Sequence, residues 1–183
     1  MESYLVSVVK QFEYYKSLGD KTFNQLTFEE IQWQSNEASN SISVIVKHII
    51  GNMSSRWTHF LTEDGEKSWR NRDAEFEDTY TSKEDLIASW ESGWFCLFSA
   101  LKSLEKKDLE RIIYIRNEGH TVIEAINRQL AHYPYHIGQI VFLGKLLKDE
   151  QWLSLSIPKG NSSKYNEDKF NKEKGRRHFT DDL

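Results

Sequence analysis

The stretch TVIEAINRQLAHYPYHIGQIVFLGKLLK, residues 121–148, has the longest helical periodicity in the chain and contains two of its six histidines. At 100° per residue, its apolar and small side chains fall on one side of a helix. These are Val122, Ala125, Ile126, Tyr133, Ile137, Ile140, Leu143, Gly144 and Leu147. His136 lies within this arc and His132 lies at its edge. The stretch therefore predicts a long helix that turns two histidines towards a core.

His132 and His136 are four residues apart, which places them one above the other on a helix with β-carbons about 5–6 Å apart. Two imidazoles at this separation can bind one cation. They can equally be core histidines, because buried polar side chains are usually satisfied by hydrogen bonds. The spacing alone leaves both interpretations open.

Pro134 lies between the two histidines. It cannot donate a hydrogen bond to the Leu130 carbonyl, and its ring clashes there. Either one helix bends at this point, or a second helix begins at Pro134 and the four-residue geometry of the histidines is lost. The apolar arc stays in phase across the proline, so we expect one bent helix.

The composition excludes several classes of protein. Among 183 residues, 24 are Lys or Arg and 28 are Asp or Glu, and the net charge of −4 argues against a nucleic-acid partner. Cys96 is the only cysteine, and the sequence shows neither a secretory signal pattern nor a long uncharged apolar run. We therefore expect a cytoplasmic protein without a membrane partner, in which Cys96 is a packing residue.

Three further amphipathic helices are predicted before the histidine-bearing stretch. Their approximate ranges are residues 3–18, 41–61 and 82–104. Gly19 is expected to end the first, and Asn40 or Ser41 to cap the second. Thr81 and Glu84 form a capping-box pattern before the third.

Shorter elements connect these helices. Thr27 and Glu30 predict one capped helical turn, and the β-branched run RIIYIR, residues 111–116, predicts an extended segment. Residues 117–119 supply the turn that leads into the fourth long helix.

The helical pattern fails after Leu155, where charged and polar residues dominate. Four long amphipathic helices with long connections are typical of a four-helix bundle. We therefore predict an all-α four-helix bundle over residues 1–155. Residues 156–183 are predicted to form a C-terminal loop and flexible tail.

His48 lies at the edge of the apolar arc of the second long helix, near Asn52. Such a histidine is more often a partly exposed surface residue. Helix bundles, however, often carry metal ligands on facing helices, and His48 is the histidine nearest the middle of another core helix. His59 lies eleven residues further on, about three turns away, too far to share a site with His48.

Three segments carry a family resemblance: SISVIVKHI at 41–49, DGEKSWRNRDAEFE at 64–77 and AHYPYHIGQIVFLGK at 131–145. Together they resemble the DinB-like (YfiT-like) metalloenzyme superfamily, in a branch of unknown function, over about residues 3–155. The resemblance implies a four-helix bundle in which one histidine of the second long helix and two of the fourth bind a divalent metal. These positions are His48, His132 and His136 in this sequence.

Three imidazole ligands suit zinc or nickel and leave a coordination position open for water or substrate. Tyr133 stands where an H-E-x-x-H peptidase carries glutamate, which argues against a peptidase with an adjacent base. Better characterised members of the DinB-like superfamily look like transferases or isomerases that depend on a low-molecular-weight thiol. They also look dimeric, which implies a homodimer.

We therefore expect an enzyme that uses a three-histidine zinc or nickel site and acts on a small-molecule substrate. A small-thiol-dependent S-transferase is the first expectation and a related hydrolase the second. The alternative is a non-catalytic metal-binding stress or sensor module. Asn52 and Gln139 are candidates for substrate binding or ligand orientation, although amides on helix surfaces are more often merely solvated.

Overall fold

The computed structural model of the protein describes residues 2–181 and is mostly helical. Its helices are α1 (Glu2–Phe23), α2 (Phe28–Gln32), α3 (Ile42–Trp57), α4 (Lys83–Lys102), α5 (Val122–Lys148) and α6 (Ser162–Phe170). Strands β1 (Ile112–Ile115) and β2 (Glu118–Thr121) form one small antiparallel sheet. Short 3-10 turns lie at Asp73–Phe76, Lys106–Asp108 and Asp149–Gln151. The prediction of a mainly helical chain is confirmed, and the sheet is an addition to it.

The four long helices surround one hydrophobic core. Helix α3 packs against α4 and α5, and α1 packs against α5 and α4. Phe12, Trp90, Trp94 and Tyr133 are fully buried between them, with Trp94 in contact with the other three rings. Large aromatic side chains from α1, α4 and α5 therefore fill the space between the helices.

The predicted end of the first helix is wrong, because α1 continues through Gly19 to Phe23. A β-carbon at Gly19 would lie 2.6 Å from Cζ2 of Trp90. Gly19 therefore permits close approach of α4 and is not a stop signal. The predicted cap of α4 is also shifted by one residue, because the side chain of Ser82, and not of Thr81, accepts a hydrogen bond from the Asp85 amide.

Helix α5 is one continuous helix through Pro134, as predicted, and it begins at a capping box of Thr121 and Glu124. The alternative in which Pro134 begins a second helix is wrong. The bend expected at Pro134 stays a prediction. Helix α3 ends at Trp57, earlier than predicted, and His59 then has a φ of 47°.

The predicted extended segment after residue 111 is confirmed as β1, and residues 118–121 return antiparallel to it as β2. The turn is therefore at Arg116 and Asn117, whose φ angles are 56° and 61°. Both backbone N–H groups donate to the carboxylate of Asp64, at 2.8 and 2.9 Å. This carboxylate fixes the hairpin turn against the connection between α3 and α4.

The chain after Gly144 lies on the surface, and no residue of 145–181 is buried. Its end contacts α1, where Ser7 Oγ lies 3.1 Å from His178 Nε2 and Lys10 pairs with Asp181. The flexibility of this tail and the domain boundary at residue 155 stay predictions. None of the helices described here is long and apolar enough to cross a membrane.

Deletion of residues 161–183 is expected to leave the helices folded. Within 161–181 the deletion removes no buried side chain, and exposed ion pairs such as Lys10–Asp181 each contribute only about 0–1 kcal/mol. The melting temperature, followed by circular dichroism at 222 nm, should therefore fall by no more than about 5 °C. A much larger fall, or loss of helical signal at 25 °C, would show that the tail is part of the fold.

Candidate metal centre

The structure brings together His48 from α3 and His132 and His136 from α5. One ring nitrogen of each histidine lies within 4.8 Å of the corresponding nitrogens of the other two. The ring of His48 is 5.5 Å from that of His132 and 5.0 Å from that of His136. His48 is buried and the other two are half-buried. The three residues singled out in the sequence thus form one cluster at the boundary between core and solvent.

Each histidine places its Nδ1 atom against an oxygen acceptor. Nδ1 of His48 lies 2.9 Å from Oε2 of Glu75. An ionised carboxylate can only accept, so Nδ1 of His48 is the donor and Nε2 is the ring nitrogen that remains for a metal. In the same way, Gln129 Oε1 lies 3.2 Å from Nδ1 of His132, and Gln139 Oε1 lies 2.8 Å from Nδ1 of His136. In all three histidines Nδ1 is therefore paired with an oxygen, the arrangement usual for a histidine that binds a metal through Nε2.

The Nε2 atoms of His132 and His136 lie only 3.1 Å apart. When both rings are protonated on Nδ1, these atoms present two lone pairs to each other, and a cation between them relieves the repulsion. Burial, with smaller contributions from His136 and His48, lowers the pKa of His132 to about 4. Burial also lowers the pKa of His136. Because both rings are neutral at pH 7, the donor set fits a divalent metal ion.

Glu75 supports His48 from the 3-10 turn Asp73–Phe76. Burial acts to raise its pKa, but hydrogen bonds from His48 and Arg70 outweigh burial and lower it, so the carboxylate is ionised. Arg70 donates from Nε and Nη2 at 2.7 and 3.0 Å. The ring of Phe76 stacks on His48 at 5.6 Å. The connection between α3 and α4 therefore fixes the orientation of His48.

The family described as "Protein of unknown function (DUF1572)" matches residues 1–161, which include all three histidines and Glu75. The chain belongs to the DUF1572 family. Searches of the curated proteins and of the solved structures found no match to it.

Tyr133 of this DUF1572 protein is fully buried in the core, where its ring lies 5.5 Å from that of His132. Its hydroxyl donates to Asn52 Oδ1 at 3.0 Å and accepts from Trp57 Nε1 at 3.0 Å. Burial raises its pKa, so the hydroxyl stays protonated and cannot act as a base. Asn52 is buried, one turn from His48, and lines a cleft of about 260 Å³ that also contacts His132.

The residues that orient the histidines were not all apparent from the sequence. Gln139 was singled out, and it contacts His136. Glu75 and Arg70 were missed, because nothing in their spacing relates them to a histidine on another element. Gln129 was also missed, although it lies three residues before His132 on the same helix, a spacing like that of His136 and Gln139. One local signal was present at Gly51, because glycine is unfavourable in the middle of a helix unless close approach requires it. A β-carbon there would lie 2.7 Å from Cδ of Glu75.

Gly51→Ala is expected to displace Glu75 and weaken metal binding by about tenfold or more, as loss of a group that orients a ligand usually does. Crowding in this packed position should also lower the free energy of unfolding by about 1–3 kcal/mol. Zinc titration and chemical denaturation measure the two effects.

Gly138→Ala is the matched control. Gly138 is a helical glycine two residues from His136, and nothing lies within 4 Å of an added β-carbon. This substitution should stabilise the protein by about 0.5–1 kcal/mol and leave metal affinity unchanged. An unchanged affinity in Gly51→Ala as well would show that the contact with Glu75 does not matter for the metal site.

Proposed function

We propose that this DUF1572 protein is a metal-dependent enzyme in which His48, His132 and His136 bind zinc or nickel. The observation that carries the proposal is the convergence of one ring nitrogen from each of three imidazoles, with every Nδ1 atom paired to an oxygen. Structural zinc sites have four protein ligands, whereas catalytic sites have three. Within residues 2–181, no aspartate, glutamate or cysteine joins this cluster, which favours a catalytic site.

The arrangement of the long helices also supports the proposal. Four long helices around one core are consistent with a four-helix bundle of the DinB-like type, and the three histidines that the resemblance implies as ligands lie together. By the same resemblance, we extend the proposal to an S-transferase that uses a low-molecular-weight thiol and a small-molecule substrate.

The surroundings of the histidines favour a thiol over water as the nucleophile. A bound zinc or nickel ion would lower the pKa of a coordinated thiol or water. Hydrolysis usually needs a base nearby as well. Glu75 is committed to Arg70 and His48, and its lowered pKa makes it a poor proton acceptor, while Tyr133 stays protonated. A thiol, with an ordinary pKa of about 8.5, needs less assistance.

The test supplies zinc- or nickel-loaded protein with a haloaromatic or an epoxide, with and without a panel of small thiols. In the haloaromatic reaction a carbon–sulfur bond forms, the carbon–halogen bond breaks, halide leaves and the thiol proton goes to buffer. Thioether formation, followed by absorbance and mass spectrometry, should require both metal and thiol and be absent in His132→Ala. Hydrolysis of esters or amides without thiol would favour the hydrolase. Absence of turnover with every substrate would favour a non-catalytic metal-binding module.

A further inference from the structure

Five arginines surround the cleft beside the histidines. They are Arg56, Arg70, Arg72, Arg116 and Arg128. The remaining lining residues are His48, Asn52, Gln129 and His132, so no acidic residue of the described chain lines the cleft. The arginines come from α3, from the connection after it, from the hairpin turn and from α5. The fold thus concentrates positive charge at one place in a chain whose net charge is −4.

Nearby carboxylates neutralise only part of this charge. Glu66 pairs with Arg56 at 3.1 Å and with Arg116 at 3.0 Å. Glu75 pairs with Arg70 at 2.7 Å. Two carboxylates therefore accompany three of the arginines.

The other two arginines have no carboxylate partner within residues 2–181. Arg72 lies over the ring of Phe76 at 5.2 Å, and Arg128 projects from the exposed side of α5 one turn before His132. Both side chains remain available to an anion that enters the cleft.

Arg56 adds a buried donor to this set. Its side chain is only 6% exposed, and its Nη1 atom donates to the Gly65 carbonyl and to Glu66. Its Nε atom has no hydrogen-bond partner in the described part of the chain. Arg56 also lines the cleft, and its buried positive charge favours the binding of an oxyanion there.

We propose that the cleft binds a small dianionic substrate, whose carboxylate or phosphate oxygens lie between Arg56, Arg72 and Arg128 while its reacting end faces His48 and His132. The inference rests on the proposed metal-dependent function and adds the charge and size of the substrate to it. Guanidinium groups bind such oxygens through paired hydrogen bonds. A cleft of about 260 Å³ is slightly smaller than the usual ligand pocket of about 300–1,000 Å³, which selects a compact molecule.

Isothermal titration calorimetry on the full chain, freed of metal by a chelator that is then removed, tests the anion site separately from metal binding. Succinate and inorganic phosphate are the probes, and succinamide is the uncharged control. The wild type should bind at least one of the two anions and not succinamide, and binding should weaken as salt rises. The tighter probe shows whether the site prefers carboxylate or phosphate.

The decisive variant is Arg72→Gln/Arg128→Gln, which should bind the anion at least about tenfold more weakly because two charge-assisted contacts are lost. Arg176→Gln, an exposed substitution in the tail, should bind like the wild type. Equal binding by the wild type and the double variant, or no binding of either anion by the wild type, would overturn the proposal.

Zinc titrations on the same proteins separate the two proposals. A wild type that binds zinc but neither anion retains the metal-dependent function and loses the proposed substrate class. A wild type that binds an anion but no zinc retains the anion site and loses the metal-dependent function. If both proposals hold, the double arginine variant still binds zinc.

Discussion

Alanine at His48, His132 or His136 is expected to abolish stoichiometric zinc binding while the helical circular dichroism stays close to that of the wild type. Each imidazole supplies one of three converging nitrogens. Loss of a group that merely orients a ligand raises the dissociation constant by about 10–100-fold, so loss of a ligand should exceed about 100-fold. The fold should persist, because the aromatic core and not the cluster holds the helices together.

The control for this series is His59→Asn. His59 is exposed and has a φ of 47°, a conformation that asparagine tolerates better than alanine. Equilibrium dialysis with zinc, followed by elemental analysis, should give one ion per chain for wild type and control. Undiminished zinc in any of the three alanine variants would remove that histidine from the site.

Glu75→Ala is expected to affect both stability and metal affinity. The side chains of Glu75 and Arg70 are 7% and 3% exposed, so removal of the carboxylate leaves a buried guanidinium with only a longer contact to Glu66, at 3.4 Å. Removing one partner of a buried ion pair lowers the free energy of unfolding by about 3–5 kcal/mol. His48 also loses its acceptor, and zinc affinity should fall by about 10–100-fold.

Two further variants separate these effects. Glu75→Gln keeps an oxygen that can accept from Nδ1 of His48. This variant should be less stable than the wild type, but its zinc affinity should fall by less than about tenfold. Glu77→Ala, an exposed position two residues further on, should change neither quantity measurably. If Glu75→Ala binds zinc as tightly as the wild type, the carboxylate does not control the orientation of His48.

The sequence predicted the parts of the fold that depend on local periodicity. Helix α5 could be predicted because its apolar arc stays in phase over 27 residues. Gly19 was wrongly predicted to end a helix. A glycine is needed there because Trp90, a residue of another helix, packs against this position. The hairpin was half predicted: β1 has a β-branched run, whereas β2 reads Glu-Gly-His-Thr and is a strand only because it pairs with β1.

The candidate site follows the same division. His132 and His136 were apparent from their spacing, and His48 from its place on a second core helix and from a family resemblance. Glu75 lies 27 residues from His48 in a connection without periodicity, so its contact could not be inferred from the sequence. The cluster of arginines around the cleft was also not apparent from the sequence. They come from separate elements, and the net negative charge of the chain hides their local excess of positive charge.

The clustered histidines of α3 and α5 are far apart in the chain, since His48 precedes His132 by 84 residues. A cation bound by all three histidines would link α3 to α5. It would close a long loop of the chain, and only in the native state. By mass action, free zinc at a thousand times its dissociation constant adds about 4 kcal/mol to the free energy of unfolding. The melting temperature should therefore rise with the logarithm of the free zinc concentration, so the stability of this protein would depend on the metal supply of its surroundings.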